Sequence, residues 1–547
     1  MNHASPDLIV VNAHIRTMDA LHPHAEALAV KDGRVWALGT DAEIRSLANG
    51  TTRLVDAQGR LVLPGFQDTH IHLQDSGTAR SMSVALDGIT DLDKLLQRLA
   101  EHAAANPDEP WVRGSGYYTG VFGEHNLSRQ VLDAVVPDRP CWIYGSDGHN
   151  ACLNTLACKA VGLDETTPDP HNGQFVRDAQ GVPTGLLYED ALFWVQDRMP
   201  PLDDGHFKTG VRYAQALCNR HGITGVLDAR VGERHMRVYK DLADAGELTV
   251  RIRATALVTP EDTVHDALER IERLRRDFTT PMSSVHSAKF FLDGVFENRT
   301  AAMIEDYSDE IGGNAPVMFE AEHLRELFIA FDKARFQLHA HCIGDGAVRA
   351  CLDALQAARE ANGEWPALHQ VAHIQVIDPA DIPRFRELGA VANIQPLWAR
   401  NEPSVTDIAL PMVGEQRGRY MYAWATLRDA GAIFAVSSDW GVSTLNPFEI
   451  MAVAVTRKPP RKFSNHPVFL PEERITVEDV VRGYTLDAAA SAWRSADTGS
   501  LGLGKFADLI ILDRDIFTIA PEELADTQVL LTLLAGQEVH RDPALPA

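Results

Sequence analysis

Two histidines two residues apart, His70 and His72, close the run Leu63-Pro64-Gly65-Phe66-Gln67-Asp68-Thr69-His70-Ile71-His72. Alternate residues of a strand share a face, so two imidazoles at the end of an apolar strand can hold one metal ion. A lone His-Xaa-His is a modest signal, since such a pair can equally be structural. Further ligand types close later apolar runs: Gln337-Leu338-His339-Ala340-His341, Val371-Ala372-His373 and Phe434-Ala435-Val436-Ser437-Ser438-Asp439. Imidazole and carboxylate suit zinc and related divalent ions. Any one of these residues could be a satisfied core group. Ligand types at four strand ends together point to a shared metal site. Ser287-Ala288-Lys289-Phe290-Phe291-Leu292-Asp293-Gly294 adds a lysine inside an apolar run. A bare ammonium is costly to bury there. Lys289 is then a neutral amine, an ion-pair partner, a side chain snorkelling to the strand end, or a carbamate formed with carbon dioxide that bridges two metals.

For these residues to meet, their strands must run parallel and end at one mouth. The middle of the chain alternates apolar β runs with helical stretches, as a parallel α/β fold does. Eight strands are expected at Leu61–Gln67, Ile223–Asp228, Arg251–Leu257, Ala288–Leu292, Phe336–His341, Gln370–Ile374, Ala390–Ile394 and Ala432–Ser437. Eight βα units make a (β/α)8, TIM-like barrel, whose sites lie at the C-terminal ends of the strands. Roughly 150 residues separate the first two strands, far more than a simple crossover needs. That segment carries Trp111, Tyr117, Tyr118, Trp142 and Trp194, so an inserted subdomain with its own fold is expected at residues 75–215. The two chain ends are β-like, from Leu8-Ile9-Val10-Val11 and the turn Lys31-Asp32-Gly33-Arg34 to Leu509-Ile510-Ile511-Leu512 and Val529 to Leu534. Residues 1–60 and 485–547 are expected to pair into a small β-sandwich, with the α/β barrel over 61–484.

The chain has 547 residues, 45% hydrophobic and 23% charged, the composition of a globular enzyme. Its net charge of -25 argues against a nucleic-acid surface, which needs clustered Lys and Arg. There is no apolar run of membrane-spanning length, and the start lacks the basic and apolar regions of a signal peptide. Cysteines 141, 152, 158, 218, 342 and 351 form no CxxC pair and read as reduced core thiols. A cytoplasmic protein acting on a small molecule, without nucleic-acid or membrane partners and with a homodimer as the prior, is the expectation.

Taken together, His70-Ile71-His72, Lys289, His341, His373 and Asp439 resemble the ligand order of the amidohydrolase superfamily. Lys289-Phe290-Phe291-Leu292-Asp293-Gly294, His341-Cys342-Ile343-Gly344-Asp345 and Gly499-Ser500-Leu501-Gly502-Leu503-Gly504-Lys505-Phe506-Ala507-Asp508 are similar to segments of its YtcJ-like branch. So are Asp147-Gly148-His149-Asn150 and Gly185-Leu186-Leu187-Tyr188-Glu189. The resemblance runs from about residue 7 to about 540 and includes the enzymes that deformylate N-substituted formamides. It implies a terminal β-sandwich, one or two divalent metals with zinc foremost, and Lys289 at the position of a bridging carboxylated lysine. It also assigns the strand-five ligand to His341 and leaves His339 as a neighbour.

The expected chemistry is hydrolysis of a non-peptide carbon–nitrogen bond, in an N-substituted formamide or N-acyl amine, by metal-activated water. Asp439 would move the proton from water to the leaving amine, and His373 would be ligand or oxyanion partner. His149, Arg299, Trp398 and Trp440 are candidate substrate contacts. Arg299 has an ordinary loop ion pair as its alternative, the two tryptophans have packing, and Asp345 is read as a helix-start carboxylate. An esterase or lactonase would use the same water. A deaminase of the superfamily keeps a Glu shortly after the strand-five His, which this chain lacks. A metal-free scaffold would have lost its ligands, and here the set is complete.

Overall fold

Pro64-Gly65 breaks the run expected as one strand over Leu61–Gln67 into two. Arg53–Pro64 belongs to a sheet made from both chain ends, and the first barrel strand is Phe66–Ile71. At the break the backbone changes partners: the Gly65 amide donates to the Asp508 carbonyl at 2.9 Å, and the Phe66 amide to Gly222 at 2.9 Å. A Cβ on Gly65 would lie 2.4 Å from the Thr224 side chain, so the two segments approach this closely only through glycine. The computed structural model describes residues 5–86, 88–117, 127–145, 150–171, 173–460 and 466–546. It divides into two units, one of residues up to 71, 215–439 and 444 onward, the other of 72–214 and 440–443.

In the first unit, eight parallel strands pair in chain order. They are Phe66–Ile71, Ile223–Val231, Arg251–Val258, Ser283–Phe291, Gln337–Cys342, Gln370–His373, Val391–Ile394 and Ile433–Val436. The sheet curls until its ends nearly meet. The Asp439 amide donates to the His70 carbonyl at 2.8 Å, and the Thr69 hydroxyl to the Val436 carbonyl at 3.2 Å. Helices lie between strands. Val264–Phe278 shows why: Thr263 caps its first turn, Ala267, Ile271 and Leu274 bury one stripe, and Arg275 and Arg276 sit at its negative end.

The terminal sheet has eight strands. Gln537–Arg541, Val529–Leu534, Leu509–Leu512, Arg53–Pro64, Leu8–Arg16, Ala27–Lys31 and Arg34–Gly39 pair in that order, with His24–Ala25 beside Leu8–Arg16. Leu8, Val10, Leu28, Val55, Leu509 and Leu531 share one core, while Ile9, Val11 and Ala29 pack with Ile44 of the short helix Asp41–Leu47.

A buried ion pair ties this sheet to the barrel. Arg251 Nε and Nη2 donate to the two oxygens of Asp508 at 3.0 and 3.1 Å, with the Arg251 guanidinium over the Phe506 ring. Asp508 also accepts from the Ala535 amide at 2.7 Å. Breaking a pair in this setting strands a buried charge, so Asp508→Ala is expected to cost about 3–5 kcal/mol in urea unfolding. The double change Arg251→Met with Asp508→Leu should recover most of that loss. A single variant as stable as the parent would remove the pair from the account of stability.

The second unit holds a six-stranded sheet, ordered Gly173–Arg177, Pro183–Glu189, Asn150–Leu153, Cys141–Gly145, Val112–Tyr117 and Val84–Ala85. Trp111, Trp142 and Phe175 are buried in it, with Trp194 edge-on to Phe175 at 5.1 Å. Tyr117 lies in a second core beside Leu99 and Ile143, and Tyr118 falls outside the described residues. All six cysteines are buried free thiols. No helix of the described residues is long and apolar enough to cross a membrane.

Candidate metal centre

Strands one, six and eight bring His70, His373 and Asp439 together. Each offers a ligand atom within 4.8 Å of the others, and all three are buried. The Asp439 carboxylate lies 3.7 Å from His70 Nε2 and 4.0 Å from His373 Nδ1. The backbone is strained here: His373, Ile374 and Asp439 have φ values of 78°, 47° and 52°, in the left-handed region that non-glycine residues avoid. Lys289, fully buried on strand four, places Nζ 3.4 Å from His70 Nε2 and 4.7 Å from the centre of the Phe291 ring. Burial pushes the Lys289 amine down to about 7, against the opposing pull of Asp439. Burial, reinforced by neighbouring His341, holds His373 well below the usual imidazole range, so its ring is neutral, as a metal ligand must be.

Each imidazole has one nitrogen engaged by a neighbour. His70 Nδ1 lies 2.9 Å from His339 Nε2, which makes His339 an orienting partner of His70. His373 Nδ1 lies 2.8 Å from Gln395 Oε1, and that bond, not the longer approach to Asp439, fixes the ring. His341 stands beside His373 with ring centres 4.5 Å apart. Its Nδ1 lies 3.1 Å from Asp293 Oδ1, and Asp293 also accepts from the amides of Ile343, Gly344 and Ala302. Three backbone amides and the His341 ring thus crowd the two oxygens of Asp293, which engages Nδ1 of His341 and leaves its Nε2 for other partners. Asp68, on the first barrel strand, accepts from the amides of His70 and Ser438, and burial pushes it up to about 7.

The remaining expected residues are spread more widely. His72 follows the first barrel strand as the half-buried N-cap of the helix Leu73–Ser81 and opens the second unit. Its amide donates to the Trp440 carbonyl at 2.7 Å, and Trp440 is buried with the Arg80 guanidinium over its ring. Trp398 stacks on His373, with centres 5.2 Å apart and planes at 14°, and remains partly exposed. Arg299 is held by Asp309 at 2.6 and 3.2 Å and by the Gly312 carbonyl at 2.6 Å, the geometry of a loop ion pair. Asp345 opens the helix Asp345–Asn362 and accepts from the Ile304 amide at 2.8 Å. His149 lies outside the described residues. Gln395, Asp293 and Asp68 were not singled out in the sequence. Their signal was a polar side chain in or just past an apolar strand, which must find partners when buried.

The donor set fits a divalent ion: imidazoles with one nitrogen tied back, a carboxylate and a lysine, at the C-terminal ends of parallel barrel strands. A barrel with such a centre is the architecture of one large class of enzymes, and the chain belongs to it: the amidohydrolase family matches residues 53–540. Within that family the chain is 28% identical over 547 residues to the N-substituted formamide deformylase of Arthrobacter pascens, covering 97% of each protein. It is 27% identical over 534 residues to YtcJ of Bacillus subtilis (strain 168), covering 96% of this chain and 98% of that one. The fold matches the crystal structure of an uncharacterized metal-dependent hydrolase from Pyrococcus horikoshii OT3, at 23% identity and a TM-score of 0.75, over 94% of this chain and 99% of that one.

Proposed function

We propose that this protein is a metal-dependent hydrolase of a non-peptide carbon–nitrogen bond, in a small N-substituted formamide or N-acyl amine. The observation that carries the reading is the buried His70–His373–Asp439 group, with Lys289 3.4 Å from His70. The choice of bond is supported by likeness to a formamide deformylase along nearly all of both chains. His70, His72, Lys289, His341, His373 and Asp439 would hold one or two divalent ions, zinc foremost. Such ions, when bound, supply Lewis acidity toward a carbonyl oxygen and acidify water.

The chain's own residues do the rest. Asp439 would take a proton from the attacking water and return it to the leaving amine nitrogen. With Nδ1 committed to Gln395, His373 offers a lone pair on Nε2, which suits a ligand better than a donor to an oxyanion. Trp398, stacked on His373 and partly exposed, offers an apolar wall for the substrate. Lys289 as a carbamate would replace a costly buried ammonium with an anion shared between two ions. A cytoplasmic homodimer is the setting we assign to this activity.

The test is elemental analysis of the purified protein together with a screen of N-formyl and N-acyl amines. Near two ions per chain, with amine release, supports the reading. No metal, and no activity gained on adding zinc or manganese, sinks it. Lys289→Ala should then lower the count from two ions toward one. An unchanged count would deny Lys289 a bridging role.

A further inference from the structure

We propose that Gln395 is the positioning residue that fixes the tautomer and direction of His373, and that a buried chain of side-chain amides holds Gln395 in turn. The proposal rests on the metal-hydrolase reading above. The chain crosses strands five, six and seven. Gln370 Nε2 donates to Gln337 Oε1 at 2.8 Å, Asn393 Nδ2 to Gln370 Oε1 at 2.7 Å, and Gln395 Nε2 to Asn393 Oδ1 at 2.8 Å. Gln395 Oε1 meets His373 Nδ1 at 2.8 Å. All four amides are buried.

An amide can be placed either way round, so its orientation must be argued from its partners. Here both routes start from backbone carbonyls, which only accept. Gln337 Nε2 faces the carbonyls of Leu368 and Ser491 at 2.7 and 2.8 Å. Asn393 Nδ2 faces the Thr69 carbonyl at 3.1 Å. From either start the same order follows, and reversing any amide would set two NH2 groups or two oxygens face to face. Ser437 closes the arrangement, accepting from Gln395 Nε2 and donating to Asn393 Oδ1, both at 2.8 Å. Gln395 therefore presents an acceptor to His373. Nδ1 of His373 carries the proton, and Nε2 keeps its lone pair for a metal ion. The stacked Trp398 ring limits the other motion left to the imidazole, its tilt.

An orienting partner of this kind is worth about 10–100-fold in metal affinity. Two substitutions separate orientation from mere packing. Gln395→Leu and Gln395→Glu both lose the NH2 group that binds Asn393 and Ser437, but only the glutamate keeps an acceptor for His373. The experiment is chelator competition for zinc on the metal-stripped full chain, with melting of each metal-free variant as the control. Gln395→Leu is expected to weaken zinc about 10–100-fold, and Gln395→Glu, which keeps the acceptor for His373 but loses the hold of Asn393 and Ser437, to weaken it at least about threefold less than Gln395→Leu does. Equal weakening by both variants, or none by Gln395→Leu, overturns the proposal. If neither variant folds, Ser437→Ala decides: it removes one of the two nearer acceptors holding the Gln395 amide, and should weaken zinc about two- to fivefold with metal-free melting little moved. Unchanged zinc affinity there also overturns it. A parent protein that takes up no zinc overturns the metal reading and this proposal together. A parent that binds zinc, with Gln395→Leu unaffected, overturns this proposal alone.

Discussion

Asn in place of Asp439 is expected to cut turnover by about 10²–10⁴-fold with KM little changed, because on the proposed mechanism the group that relays the proton is lost while its shape is kept. The substitution is a clean one. Asp439 sits at a φ of 52°, which Asn tolerates better than most residues. The main-chain bond from residue 439 to the His70 carbonyl that joins the last strand to the first does not involve the side chain. The variant should fold and bind substrate. Steady-state kinetics with metal content measured on the same sample reads the result. Turnover within threefold of the parent, with metal retained, would take Asp439 out of the mechanism. Lost metal would mean that its part as a ligand outweighs its part as a proton carrier.

Removing His70 should have a wider effect. Its imidazole is where Asp439, Lys289 and His339 meet, at 3.7, 3.4 and 2.9 Å. A direct ligand is expected to matter more than an orienting partner, so His70→Ala should weaken metal binding beyond the roughly 10–100-fold typical of the latter. Metal and activity should disappear together, while circular dichroism stays that of a folded chain. Activity that survives metal loss would break the link between the two and end the hydrolase reading. His72→Ala is the natural companion, since the two histidines close one run.

Much of the barrel was legible because its signals are local. Apolar runs ending in His339-Ala340-His341, His373 and Asp439 announce both a strand and what lies at its tip. Seven of the eight strand positions hold within a few residues for that reason. The first did not, because Leu61, Val62 and Leu63 are as apolar as the barrel run that follows. Only tertiary context shows that they pair with Ile15 and Ile510 of the terminal sheet, with Pro64-Gly65 as the joint. The site divides the same way. His70, His373 and Asp439 could be named from residue type and position. Gln337, Gln370, Asn393 and Gln395 could not, since each is a single uncharged amide in or just past one of three different strands. Their order depends on register, which sets His339 beside Gln370 and Ala372 beside Asn393. Asp293 was in view within the strand-four run, but its partners come from the loop that follows that strand, at Ala302, and from the far end of strand five, at Ile343.

The terminal sheet has a consequence for how the chain is made. Arg53–Pro64 takes Leu8–Arg16 as one neighbour, but its other neighbour is Leu509–Leu512. Arg53 reaches the Gly536 carbonyl across 483 residues of sequence. At about 5–20 residues per second, a ribosome needs roughly 25–100 s to supply that stretch. Through that interval the growing chain carries an early sheet with one open apolar edge, the kind of surface that recruits chaperones or pairs with the wrong strand. A chain released before its last β segments would keep that edge for good. Leu509–Leu512 and Val529–Leu534 thus protect an edge that the first sixty or so residues create and cannot themselves cover.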